Sequence, residues 1–132
     1  MTKEPEANFK PTEFGGKAED VAAAYLEKHG YALIQRNYHT RRGEIDIIAR
    51  DGDIVVFVEV KAATKRVGDR LYHRVNASKQ RKLYFAASEY IQKFQPVCET
   101  FRFDVVMMVQ LSNGEWQIEH LRDAFRLDEF SC

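Results

Sequence analysis

Asp46, Glu59 and Lys61 stand inside an otherwise apolar stretch, GEIDIIARDGDIVVFVEVK, that runs from Gly43 to Lys61. Charges within β-forming runs are costly unless something compensates them. Two carboxylates brought together there would repel, and a divalent cation between them would remove the repulsion. Mg²⁺ usually takes only one or two protein carboxylates and keeps several waters, which leaves room for a phosphate oxygen and an attacking water. A neighbouring lysine can orient or deprotonate that water, or stabilise charge developing at phosphorus. The chemistry implied is metal-assisted hydrolysis of a phosphate ester.

The strands must place these groups together. Side chains alternate along a strand, so Glu44, Asp46 and Ile48 share one face, and Val55, Phe57, Glu59 and Lys61 share one face of the next. With Asp51-Gly52 as a two-residue type I′ turn, Arg50 pairs with Asp53, Asp46 falls opposite Phe57 and Glu44 opposite Glu59. All four charges then share a face, with Asp46 and Glu59 as diagonal neighbours roughly 7–8 Å apart. A one-residue slip or bulge would separate Asp46 from the Glu59–Lys61 pair. The competing reading is a salt bridge from Lys61 to Glu59 or Glu44, with Asp46 satisfied by backbone donors. An Asp, a Glu and a Lys together on one face of a Val/Ile hairpin favour metal or phosphate chemistry.

Around the hairpin, periodicity predicts a helix over Lys17–His29 ended by Gly30, and a short strand over Tyr31–Asn37. YHTRRG then reads as a loop. The hairpin strands are Ile45–Ala49 and Ile54–Val60, followed by a long basic loop from Ala62 to Asn76. A second helix follows, with Ser78 as candidate N-cap and an apolar stripe of Leu83, Ala86, Ala87, Tyr90, Ile91 and Phe94. Phe101–Gln110 and Glu115–Leu121 complete the set as strands joined through Ser112-Asn113-Gly114. Trp116 and the Phe101–Phe103 pair read as core or interface. The fold class is therefore α/β: an antiparallel three-strand meander, a helical crossover to a parallel fourth strand and one further strand, in one mixed sheet flanked by helices.

Asp46 followed by Glu59-Val60-Lys61 resembles the PD-(D/E)xK nuclease superfamily, whose restriction-endonuclease-like core has a similar αβββαβ order. Gly15 with Glu19, Arg36-Asn37, GEIDIIA, VFVEVK, Lys79, RFDVV and HLRDAF together resemble the YraN-type family of bacterial endonuclease-like proteins. Archaeal Holliday-junction resolvases are related to it. The resemblance implies a site for Mg²⁺ or Mn²⁺ with Asp46 and Glu59 as ligands, Glu19 as an outer or water-mediated ligand, and Lys61 acting on the water. Members of the family commonly carry a basic residue soon after the lysine of the ExK element, whereas this chain has Ala62-Ala63.

The 132 residues carry twenty basic and twenty acidic side chains, so no net charge draws the chain to a polyanion. Local clustering does: from Lys61 to Lys82 there are eight basic residues against Asp69 alone, while Asn113–Cys132 holds five acidic and two basic residues. Arg36, Arg41, Arg42, Lys65, Arg66, Arg70, Arg74 and Lys79 flank the carboxylates and are the expected contacts to a nucleic-acid backbone, DNA in particular. Tyr72 and His73 could stack on an unpaired base. The histidines show no zinc spacing, and no phosphate-cradling glycine loop is present.

Residues 1–13 read as a flexible arm and 14–132 as a single endonuclease-like domain. Cys98 and Cys132, distant in sequence, are expected to be reduced thiols. With no signal-peptide core and no spanning run, the expectation is a cytoplasmic protein with no membrane partner. A symmetric branched DNA would suit a homodimer. The leading reading is thus a metal-dependent nuclease for branched or structured DNA. The alternative is a nucleic-acid-binding module of the same fold that is inactive alone or needs a partner.

Overall fold

The computed structural model of the chain describes residues 16–63 and 76–126. The arm at 1–13 and the loop residues Lys65, Arg66, Arg70, Tyr72, His73 and Arg74 lie outside the described residues.

Helix α1 (Gly16–Lys28) is followed by strands β1 (Ala32–His39), β2 (Glu44–Asp51) and β3 (Ile54–Ala63). Helix α2 (Ala77–Phe94) leads to β4 (Thr100–Gln110) and β5 (Trp116–Phe125). The sheet order is β1-β2-β3-β4-β5, antiparallel throughout except for the β3–β4 pair, which is parallel. The long crossover through α2 permits that parallel pairing. This is the expected αβββαβ core with an extra C-terminal strand.

The helices cover opposite faces of the sheet. Val21, Ala22 and Leu26 of α1 pack on Ile47, Ala49, Val56, Val58, Val106 and Met108. Leu83, Ala86, Ala87 and Tyr90 of α2 pack on Ile48, Val55, Phe57, Phe103 and Met107. A sheet covered on both faces calls for apolar residues at successive positions, which is why the central strands read as unbroken Val/Ile runs.

Local chemistry ends the helices where packing requires. At the end of α1, the Gly30 N–H donates to the Glu27 carbonyl and the Tyr31 N–H to the Leu26 carbonyl, both at 3.0 Å. This double closure needs a left-handed residue, and Gly30 supplies it with φ 93°. The cap of α2 is Asn76 rather than Ser78: its side-chain oxygen accepts from the Lys79 N–H at 2.9 Å. Starting the helix two residues early makes Lys79 the third residue of its first turn rather than the first.

The hairpin also differs from expectation. Asp51 pairs with Ile54, so the loop is Gly52-Asp53 and not Asp51-Gly52. Only its first central residue has positive φ, as in a type II′ turn rather than type I′. The pairing moves by two positions, which preserves the faces but brings Asp46 toward Glu59 directly instead of diagonally. Cys98 is disulfide-bonded, which corrects the expectation of two reduced thiols: separation along the chain says little about distance in space. Among the described residues, no helix is long and apolar enough to cross a membrane.

Candidate metal and nucleic-acid site

Asp46 sits where the central ladder opens. The last β2–β3 pair is Ile47–Val58, and one residue further the Val60 N–H donates to Asp46 Oδ2 at 2.8 Å, a side chain taking the place of a strand carbonyl. The alternation of faces breaks here. Ile47 belongs to the core under α1 whereas Ile45 belongs to the core under α2, although residues two apart in a regular strand share a face. The feared irregularity is therefore present, but it draws the carboxylates together. The charges of Glu59 and of Glu19 from α1 both bear on the Asp46 carboxyl.

The electrostatics record this crowding. Burial, then the charge of Glu59, push the Asp46 carboxyl up to about 7; the Val60 N–H opposes this and Glu19 adds to it. Glu59, itself buried, is likewise pushed up by burial, while Lys79 and Lys61 pull it back down and Glu44 raises it. Lys79 Nζ lies 3.3 Å from Glu59 Oε2. A sequence reading that set Lys79 among the backbone-binding cations missed this contact, because the pairing depends on where α2 crosses the sheet.

A second buried carboxylate, Asp104 on β4, shows what full compensation looks like. It accepts from Arg102 Nε at 2.9 Å and from the Asp123 N–H at 2.9 Å, lies 2.7 Å from His120 Nε2, and takes a longer bond from the Tyr31 hydroxyl. Burial pushes its pKa up, but the bonds from His120 and Arg102 outweigh this and hold it below the ordinary carboxylate range. Asp46, half-buried, and Asp104, buried, both lie at breaks in the ladder, yet their proton affinities move in opposite directions. One is matched by Arg102 and hydrogen-bonding side chains; the other faces carboxylates.

The remaining expected residues divide. Glu44 is exposed and pairs with His39 at 2.8 Å, so it is not gathered with Asp46 and Glu59 on a common face. Lys61 is half-buried on β3, two residues beyond Glu59, and its charge reaches it. Arg36 turns to α1, 2.8 Å from Asp20 and 3.5 Å from Glu19. Arg41 and Arg42 are exposed in the turn between β1 and β2, where the Thr40 hydroxyl accepts from the Gly43 N–H at 3.0 Å. The Arg42 guanidinium lies 3.8 Å above the Phe85 ring, so α2 fixes its direction. Gly43 makes that docking possible, since a Cβ there would collide with the Lys82 carbonyl.

Asp46 and Glu59, with Glu19 behind Asp46, are the residues that could hold a divalent ion. Among the described residues, no group of three or more such donors closes into a metal cage. The set fits an ion that keeps most of its water and takes one or two carboxylates, in the manner of Mg²⁺.

A mixed five-stranded sheet in αβββαβ order, with carboxylates converging where the central hairpin opens, defines a restriction-endonuclease-like protein. Comparison with known proteins narrows the class. Residues 18–108 match the uncharacterised protein family UPF0102, the YraN-type family, and the chain belongs to it. A UPF0102 protein of Geobacter metallireducens is 42% identical over 113 residues, covering 86% of this chain and 92% of the relative. One from Geotalea uraniireducens is 38% identical over 127 residues, covering 96% and 98%. Another from Desulforapulum autotrophicum is 41% identical over 116 residues, covering 86% and 93%.

Proposed function

We propose that this protein is a divalent-metal-dependent nuclease that hydrolyses phosphodiesters in branched or structured DNA. The observation that carries the reading is the crowding of carboxylates beside Glu19: Asp46 and Glu59 both have raised proton affinity, even with Lys79 paired to Glu59. Such a pair is costly to keep without a cation, and the same sheet balances Asp104 with Arg102 and His120. Mg²⁺ or Mn²⁺ bound there would supply Lewis acidity toward the phosphate and a more acidic water.

The chain's own residues supply the rest. Asp46 and Glu59 set the position of the reacting phosphate, and Lys61 orients the attacking water and steadies the charge that develops. Arg42, held over the Phe85 ring, grips the backbone a few phosphates away. Asp46 and Arg42 are four residues apart, at most on the order of 13 Å of extended chain, or about four nucleotide rises.

The test is incubation with Mg²⁺ or Mn²⁺ and a panel of four-way, flap, single-stranded and linear DNAs. Metal-dependent cutting of the branched substrates that disappears in Asp46→Ala and Glu59→Ala is expected. Cutting that survives both substitutions would refute the site.

A second reading has its own support. The Lys79–Glu59 ion pair already neutralises one carboxylate, as a binding module without catalysis would require. That module predicts salt-sensitive DNA binding with no metal-dependent cleavage.

A further inference from the structure

We propose that Asn37 is a positioning residue for the carboxylate site: its left-handed backbone turns β1 over, and its amide clamps Glu19 against Asp46. The inference rests on the metal-site reading above and assigns a role that neither composition nor strand pattern indicates.

β1 changes face at this residue. Arg36 points to α1, where it meets Asp20 and Glu19, whereas Tyr38 is buried against α2 with its ring 5.4 Å from that of Tyr90. Residues two apart share a face in a regular strand, so the strand must turn over between them. Asn37 has φ 51°, in the left-handed region that β-branched and bulky residues avoid. On the neighbouring strand, Arg36 pairs with Ile47 and Tyr38 with Ile45, which sets Asn37 opposite Asp46, where β2 also changes face. The two irregularities are one feature, a paired break in the ladder.

The side chain completes the case. With the amide oriented so that its nitrogen faces α1, Asn37 donates to Glu19 Oε1 at 3.1 Å and to Oε2 at 3.2 Å. Glu19 is also close enough to Asp46 for its charge to raise that carboxyl's proton affinity. Two carboxyl groups in contact repel once ionised, and a glutamate on a helix surface has rotamers that lead out to solvent. The Asn37 amide, with Arg36 on the flank, opposes that escape. Glycine would satisfy the backbone at position 37 but could not hold Glu19. Asparagine does both, because its short polar side chain tolerates the left-handed region.

The experiment separates the two roles in the full-length protein. Mn²⁺ affinity is measured by calorimetry, and thermal unfolding is followed in metal-free buffer. Asn37→Gly keeps the backbone and is expected to unfold near the wild-type temperature while binding Mn²⁺ roughly 10-fold or more weakly, as for other supporting contacts to metal ligands. Asn37→Asp, which also tolerates the conformation but donates nothing when ionised, should weaken binding as well. In a Glu19→Gln background, Asn37→Gly should cost little further affinity.

Wild-type Mn²⁺ affinity in both Asn37→Gly and Asn37→Asp would overturn the positioning role and leave the metal site standing. An equal loss with and without the Glu19 carboxylate would overturn it as well. Absence of Mn²⁺ binding by the wild-type protein would overturn both this inference and the metal-site reading.

Discussion

Replacing Asp46 by asparagine should stabilise the metal-free protein at pH 8, and by well under half as much at pH 5. Asparagine keeps an oxygen that can accept the Val60 N–H, so the backbone contact at 2.8 Å survives while the charge is removed. The sign follows from the raised proton affinity. The folded protein binds the Asp46 proton more tightly than the unfolded chain does, so this group's contribution is full below about 3.8 and is lost as pH rises through about 7. At about 1.4 kcal/mol for each tenfold change in proton affinity, the ceiling is roughly 4 kcal/mol. Partial solvent access and sharing of the proton with Glu19 reduce the expected gain to about 1–3 kcal/mol at pH 8. Glu59 contributes with the same sign, and because its charge bears on Asp46 the asparagine relieves part of that cost as well. Urea unfolding in EDTA at the two pH values measures it. A variant that is destabilised by the same amount at both, or that loses stability at pH 8, would refute the claim that Asp46 carries an uncompensated charge.

Three further outcomes follow from other parts of the fold. Gly43→Ala should cost about 1–3 kcal/mol in denaturant unfolding, because the added Cβ meets the Lys82 backbone carbonyl and forces the arginine turn off α2. Asp104→Ala should cost about 3–5 kcal/mol, toward the lower figure because Asp51 remains 3.2 Å from Arg102 as a second partner. The wild type should lose the Asp104 contribution only in acid, as pH falls below about 4 through its lowered pKa, a limb absent from that variant. Arg42→Ala should weaken binding of metal-free protein to a four-way DNA and reduce the salt slope by about 1, read by fluorescence anisotropy across a salt series.

How much of this was legible in the sequence depends on where the chain obeys simple alternation. The order of helices and strands, the parallel crossover and the closeness of Asp46 to Glu59 follow from periodicity and turn residues, and the structure has them. The details that failed share a cause. The Gly52-Asp53 turn, the Asn76 cap and the change of face at Asn37 are each decided by a single residue's backbone angle or cap geometry, which pattern reading cannot resolve. The contact of Lys79 with Glu59 and the burial of Asp104 among Arg102, His120 and Tyr31 depend on tertiary placement.

Asp46 and Asp104 argue that these departures are not incidental. Each lies at a break in a ladder associated with a non-glycine residue of positive φ, Asn37 beside Asp46 and Asp123 beside Asp104, and each accepts a backbone N–H. Backbone geometry alone therefore cannot tell a structural aspartate from a functional one. The partners can: Asp104 is matched by cationic and hydrogen-bonding side chains, whereas Asp46 meets Glu19 and Glu59. The same fold carries the means to neutralise a buried carboxylate and applies them fully to only one of the two. The excess negative charge left at the other is what a divalent cation would relieve.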